Sequence, residues 1–390
     1  HIFHLYQSNN LLIIFFINIK FVKVLLLFTH GISLNDWHDT GIINREIKFY
    51  KKLNERYGFS FIFFTYGDSR DFKYAEKYNW LTIVPIYHYI PKLSSNLKNI
   101  LNVLLKSPKI FEENNLFFDI IKTNQLQGAW LGIYSKIKFK KPLFIRTGYD
   151  LYLFSKKDKK RKSKSIFYYV LTFLSLNFSD IYTVSSTSDF EFIKKKYVFN
   201  KSKLKLRRNW IVIKNDESEK EKTDNKILAV GRLEEQKDMK YLINVFNETE
   251  YVLDIVGEGS LKSELTKISG NNIRFFGRLN YDELIERYED YRYYISSSDY
   301  EGNPKSLIEA MSRGCIAIVP NIPNYSEIVS HNENGILYSK EDDNLLEIIR
   351  ELDKSDLSKI IKNSKNYINT NYSIENSLDY EFKDYKKITK

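Results

Sequence analysis

The pattern of apolar runs predicts an α/β protein built as two doubly wound domains in tandem, each around a parallel sheet, facing each other across a cleft. Three observations predict it. Short strand-like runs alternate with helical stretches over the first half of the chain. A polar stretch, 214–225, interrupts the series as an interdomain linker, and a second alternating series begins at Lys226. Strands separated by helices need crossover connections, which gives a parallel sheet covered on both faces.

The first series opens with an apolar strand at 22–28, followed by a polar loop from His30 to Gly41 and an amphipathic helix at 43–57. A strand at 59–65, a turn at 67–70, a strand at 81–85 and a helix at 96–106 follow. Strands at 119–123, 142–146 and 180–184 complete it. The expected organisation is a non-core extension at 1–20, a first domain at 21–215 and a second at 216–365. Residues 366–390 form a helix crossing back to the first domain. The apolar run from Leu11 to Ile17 is too short to span a bilayer; it reads as sequence outside the fold or as a short anchor on a membrane surface, and no small-residue cleavage site follows it.

With 390 residues the chain is long enough for two cores, and its 43% hydrophobic content is ordinary for a soluble protein. A single cysteine, Cys315, excludes an internal disulfide framework and fits a reducing compartment. The net charge of +11 conceals an asymmetry: residues 1–215 carry 36 Lys and Arg against 15 Asp and Glu, the remainder 24 against 34. A basic first half points to an anionic partner: a bilayer surface, a lipid diphosphate or nucleic acid. The run Lys156 to Lys164, next to an apolar helical stretch at 166–178, reads either as a membrane-surface contact or as a basic loop ahead of a core helix.

Chemistry concentrates between Glu301 and Glu309. Pro304 suits the first position of a helix, residues 306–312 hold few helix breakers, and Gly314 fits a left-handed C-terminal cap. Residues 315–319 read as a buried strand ending at Pro320. Gly302 and Asn303 would then leave bare N–H groups at a helix N-terminus, suited to a phosphate. Glu309 would lie about 8 Å further along, in reach of a sugar hydroxyl. The bland alternative pairs Glu309 with Arg313 at i+4. Arg232 and Lys237 fall just past the strand at 227–230, where an open sheet holds its ligand; there they would neutralise a diphosphate leaving group, or else be solvated loop cations.

The segment Glu301-x7-Glu309 resembles the Glu-x7-Glu motif of glycosyltransferase family 4, the retaining GT-B enzymes with two Rossmann-like domains. The block from Ile227 through Gly231, Arg232 and Leu233 to Lys237 is similar to that family's strand followed by Gly-Arg-Leu-x-x-x-Lys. Leu253 to Gly259 resembles its next strand with a Gly-x-Gly turn, and Arg274 to Arg278 the block after it. The resemblance implies ribose binding by Glu309, contact of Glu301 with the transferred sugar, and Gly302, Asn303, Pro304 and Lys305 near the phosphates. It places Gly231, Gly257, Gly259 and Arg278 in the donor site, and Thr40 and Gly41 in a loop facing the donor phosphate, where Thr40 replaces the family's first glycine. A histidine usual after the strand at 119–123 is absent; Lys122 and Asn124 stand there, and with Arg146 they are expected along the acceptor side.

The function so implied is retaining transfer of a hexose from a UDP- or GDP-linked sugar to a lipid-linked or polysaccharide acceptor. No cofactor and no metal site is expected, since metal-ligand spacings are missing from the sequence. The expected location is cytoplasmic, with peripheral contact to the inner face of the cell membrane. Two rivals remain: a nucleotide-sugar epimerase of the same shape, and a basic nucleic-acid-binding protein, whose binding would depend steeply on salt. His30 and His38 read as ordinary loop histidines.

Overall fold

The computed structural model describes residues 7–8, 11–12, 22–157, 162–213 and 222–389. Most of the extension at 1–20, half of the basic run and most of the expected linker lie outside them; within the extension, Gln7–Ser8 and Leu11–Leu12 pair as a short antiparallel ladder.

The first sheet has seven parallel strands: β1 (Lys23–Leu27), β2 (Ser60–Thr65), β3 (Leu81–Pro85), β4 (Ile120–Thr123), β5 (Leu143–Arg146), β6 (Ile181–Val184) and β7 (Leu204–Leu206). Their spatial order is β3-β2-β1-β4-β5-β6-β7. The second sheet has six, β8 (Thr223–Val230), β9 (Val252–Val256), β10 (Ile273–Gly277), β11 (Tyr291–Ile295), β12 (Ile316–Pro320) and β13 (Ile336–Tyr338), in the order β10-β9-β8-β11-β12-β13. Central strands are buried on both faces, which explains runs such as Val24 to Leu27 with no polar alternation. In each sheet the direction of winding reverses once, between β1 and β4 and between β8 and β11. Loops leaving adjacent strand ends diverge there and open a crevice.

The helices that matter are α1 (Leu34–Asp39), α2 (Ile43–Tyr57), α3 (Asn96–Glu113), α4 (Ala129–Phe139), α5 (Lys162–Phe178), α6 (Lys305–Ser312), α7 (Ser358–Tyr372) and α8 (Ile374–Ile388). Right-handed crossovers put α3, α4 and α5 on one face of the first sheet and α2 on the other. Helix α8 packs against α2: Tyr57 stacks on Phe382 at 4.2 Å, and Ile374, Leu378 and Tyr385 enter the first domain's core.

Three local expectations shift. Helix α3 continues past 106 to Glu113, through Pro108, because Val103, Ile110 and Phe111 keep the apolar stripe on the sheet and hold the helix together around the missing N–H. β8 starts at Thr223, three residues before the expected opening of the second series, with a register irregularity between Thr223 and Ile227. Pro304 is the N-cap of α6 and not its first residue, so the helix starts one position later than expected, with φ −75° and ψ 92° at the cap; Gly314 does take the left-handed conformation, at φ +71°.

Candidate active site

The second domain's crevice is built from loops that leave β8, β9, β10 and β11 and lace together. The Gly231 N–H donates to the Val256 carbonyl, Gly257 N–H to Gly277, and Leu233 N–H to Glu258. A Cβ on Gly257 (φ +148°) would lie 1.9 Å from the Gly231 oxygen, and one on Gly259 2.3 Å from the Leu233 oxygen. These two glycines therefore permit close approach of the neighbouring loop. Gly231 likewise leaves room for the Lys237 side chain, 3.2 Å from where its Cβ would be.

Lys237 crosses this gap to ion-pair with Glu301, whose carboxylate also accepts from the Tyr325 hydroxyl at 3.4 Å. Glu301 is buried at the end of the loop following β11. Gln236 ties that loop down, donating to the Tyr300 carbonyl. Arg232 is exposed, and no hydrogen bond or ion pair engages its guanidinium among the described residues; its charge acts on Tyr149 and Glu234. Helix α6 has no side chain capping its N-terminus, so its first-turn N–H groups have no capping partner.

Glu309 is 5% exposed, and its nearest cation is Arg45 of α2, 4.0 Å away in the other domain. Arg313 pairs instead with Glu289 at 3.6 Å, so the expected i+4 partner is displaced. Burial raises the Glu309 pKa, opposed by the charges of Arg45, Lys305 and Arg313. Arg45 donates to the Trp210 carbonyl at 2.8 Å and lies over the Trp210 ring. Beside it, Glu46 faces Arg146 at 3.5 Å. Burial alone would raise Glu46, but Arg146, Lys305, Arg45 and Lys122 outweigh it and keep the carboxyl below its ordinary value. Lys305, the first residue of α6, keeps solvent access. Surrounding protein and the cations Arg45 and Arg146 lower its pKa, while Glu46 and Glu309 oppose the shift. Three cations and two carboxylates thus meet where the domains face each other. An additional anion there would be met by an excess of positive charge.

Several expected ligand contacts are used to hold the domains together. Asn303 accepts from Asn209 at 2.8 Å and donates to the Ser185 carbonyl at 2.9 Å, so its amide is committed to the first domain. A Cβ on Gly302 would lie 2.6 Å from that of Tyr149; this glycine admits a first-domain side chain where a phosphate was expected. Arg278 donates to the Asp39 carbonyl at 3.0 Å. Gly41, at φ +72°, packs on Asn280, and the Thr40 hydroxyl caps α1 by donating to Asp36. The Thr40–Gly41 loop does face the second domain.

Lys122 departs most from expectation. It is fully buried and ion-paired to Glu381 of α8, with the Tyr50, Phe144 and Tyr385 rings around its ammonium. Placed in the interior, it cannot line an acceptor cleft; desolvation lowers its pKa and Glu381 counters this. Arg146 is committed to Glu46. Asn124 sits at the end of β4, half-buried, at the first sheet's winding reversal. His30 lies beside the rings of Tyr66 and Trp130, and burial lowers its pKa. Arg45 and Glu46 were not singled out from sequence. A signal existed, because Glu46 falls on the apolar stripe of Ile43, Ile47, Tyr50 and Leu53, where a charge needs a partner.

Behind the Tyr149 loop, two buried carboxyls lie together. Asp150 caps the next helix through the Leu153 N–H, and Asp189 accepts from the Asp150 N–H at 3.1 Å. Burial holds Asp150 up at about 6; burial and the nearby Asp150 charge hold Asp189 up at about 7. Both values exceed that of an unfolded aspartate, about 3.9, so the folded state retains protons the unfolded state has lost. The stabilisation is complete below that value and fades as pH rises through 6 and 7. Asp189→Asn keeps the acceptor and removes the titration. Its melting temperature should exceed the wild type's by a few °C near pH ~8, and the difference should shrink towards zero as pH falls to ~4; parallel pH profiles would refute this.

Two doubly wound domains, with charged loops converging at both winding reversals, define a GT-B protein. Residues 213–371 match the family described as Glycosyl transferases group 1. It is 32% identical over 126 residues to the UDP-N-acetylglucosamine–peptide N-acetylglucosaminyltransferase GtfA subunit of Streptococcus agalactiae, covering 30% of this chain and 24% of that one. It is 27% identical over 170 residues to the capsular polysaccharide biosynthesis glycosyltransferase CapH of Staphylococcus aureus, 40% of this chain and 45% of CapH. The matched stretches thus span less than half of these relatives. Over 94% of the chain the fold superposes on all of Anabaena Alr3699/HepE, solved with UDP and glucose, at a TM-score of 0.71 and 15% identity. Among the described residues, no group of His, Cys, Asp and Glu is arranged to hold a metal ion.

Proposed function

We propose that the chain is a retaining glycosyltransferase of family 4. In this reading it moves a hexose from a nucleoside-diphosphate sugar, UDP-linked by preference, to a lipid-linked or polysaccharide acceptor. The observations that carry the proposal are the exposed, unengaged Arg232 guanidinium, whose charge acts on Tyr149, and the uncapped N-terminus of α6, which follows the Gly302 that packs on Tyr149. Cations and bare N–H groups aimed at one place stabilise charge that develops on a departing diphosphate. Lys305 adds a cation whose depressed pKa a bound anion would raise again. Glu309 takes the ribose, and Glu301, held by Lys237 and Tyr325, orients the sugar. The bond from C1 to the diphosphate breaks as the acceptor oxygen attacks from the same face, and the departing phosphate oxygen takes the acceptor's proton. The UDP named with HepE and the UDP-sugar in the GtfA name favour uridine as the base; CapH's name favours a saccharide acceptor.

The first test is a thermal-shift series with UDP, GDP, ADP, CDP and dTDP on the wild type and on Arg232→Ala. A ligand at about 100 times its Kd adds about 2.7 kcal/mol. A shift with UDP alone, lost in the variant, is the expected result. No shift with any nucleotide would remove the donor site from the proposal.

A further inference from the structure

Helix α5 has its polarity inverted. Its sheet-facing side buries Thr172 and Ser175 alongside Leu171 and Leu176. Its outward side carries Ile166, Phe167, Val170, Phe173, Leu174 and Phe178, with Ile166 68% and Phe167 55% exposed. An ordinary surface helix shows the reverse arrangement, apolar inward and charged outward. Helix α3, on the same face of the first sheet, repeats the feature with Leu97, Leu101 and Leu105, spaced four apart and all exposed. Ile137 of α4, 61% exposed, lies on the helix between them. This apolar area is one continuous layer of helices, larger than the single scattered residues that need no explanation.

The surrounding charge is mainly positive, with Glu112 and Glu113 at the end of α3 as the exception on that helix. From residue 129 to 178 the sequence holds twelve Lys and Arg against two Asp and no Glu. Lys98 and Lys106 of α3, Lys138 of α4 and Lys164 at the start of α5 are all exposed. A second copy of this chain would bring lysines against lysines, and a nucleic acid would leave the phenylalanines in water. No helix among the described residues is long and apolar enough to cross a membrane. We propose that the outer faces of α3 and α5 lie flat on an anionic lipid bilayer, with phenyl and leucyl side chains in the acyl boundary and lysines among the headgroups. The inference stands without the transferase reading. If both hold, the bilayer meets the domain expected to take the acceptor.

The test is sedimentation of the full chain with vesicles of phosphatidylcholine, alone or with roughly one-third phosphatidylglycerol, using the wild type and the triple variant F167E/V170E/L174E. These side chains are exposed, so an unchanged melting curve should confirm folding. The wild type should bind the anionic vesicles at least about tenfold more tightly than the neutral ones, and the variant should lose at least about tenfold. Equal binding by variant and wild type would overturn the proposal, as would absence of wild-type binding. A lipid-free dimer that the triple variant abolishes would instead assign the surface to a second copy.

Discussion

Arg232→Ala should lower sugar transfer by about 10²–10³-fold while leaving the melting temperature unchanged. The magnitude is that of deleting one preorganised donor to a developing negative charge. The unchanged stability follows because this exposed guanidinium has no hydrogen bond or ion pair to lose among the described residues. A role in the transition state should reduce kcat as well as kcat/KM; a rise in KM alone would limit Arg232 to donor binding. Wild-type rates in the variant would exclude Arg232 from the reaction. Lys237→Ala should differ, because it strands the buried Glu301 carboxylate and loses stability together with activity.

Arg45→Met should destabilise the protein by about 3–5 kcal/mol, the usual cost of breaking a buried charge pair from one side. It removes the cation facing Glu309, the donor to the Trp210 carbonyl and the cover over the Trp210 ring. The loss should depend on pH. Burial already raises Glu309 and Arg45 restrains it, so without Arg45 the carboxyl rises further. A carboxyl raised in the folded state stabilises at low pH, and that contribution is lost as pH rises through its folded pKa. The variant should therefore lose more stability near pH ~8 than near pH ~5, and adding Glu309→Gln should remove the difference. Melting curves of the two single variants and the double variant form the cycle. Additive effects without pH dependence would mean that the two residues do not interact.

Much of the backbone was legible because its signals are local. The apolar run at 22–28 marks β1, whose residues Val24 to Leu27 are buried because a central strand covered on both faces has no room for polar residues, and the run at 81–85 marks the edge strand β3, where Thr82 is exposed. Helix α2 matches its expected span because Gly58, at φ +73°, ends it in the left-handed conformation. Part of the expected grouping is seen as contacts: Glu301 lies against Lys237, and Lys305 and Glu309 share the neighbourhood of Arg45.

Partners were not legible. Arg45 meets the Trp210 carbonyl 165 positions away, and Lys122 meets Glu381 across 259. No periodicity encodes such separations. The helical register offered Glu309 an arginine at i+4; domain packing gave it Arg45 and turned Arg313 to Glu289. The Asn303 and Gly302 positions read as phosphate ligands on a bare helix end, and the other domain occupies both. The sequence by itself determined the succession of strands and helices, because each depends on residues within a few positions. Which charges face the cleft, which lie buried and which helix turns its apolar side outward were decided only when the two sheets and the returning α8 came together, since burial and ion pairing depend on distances in space that chain order does not set.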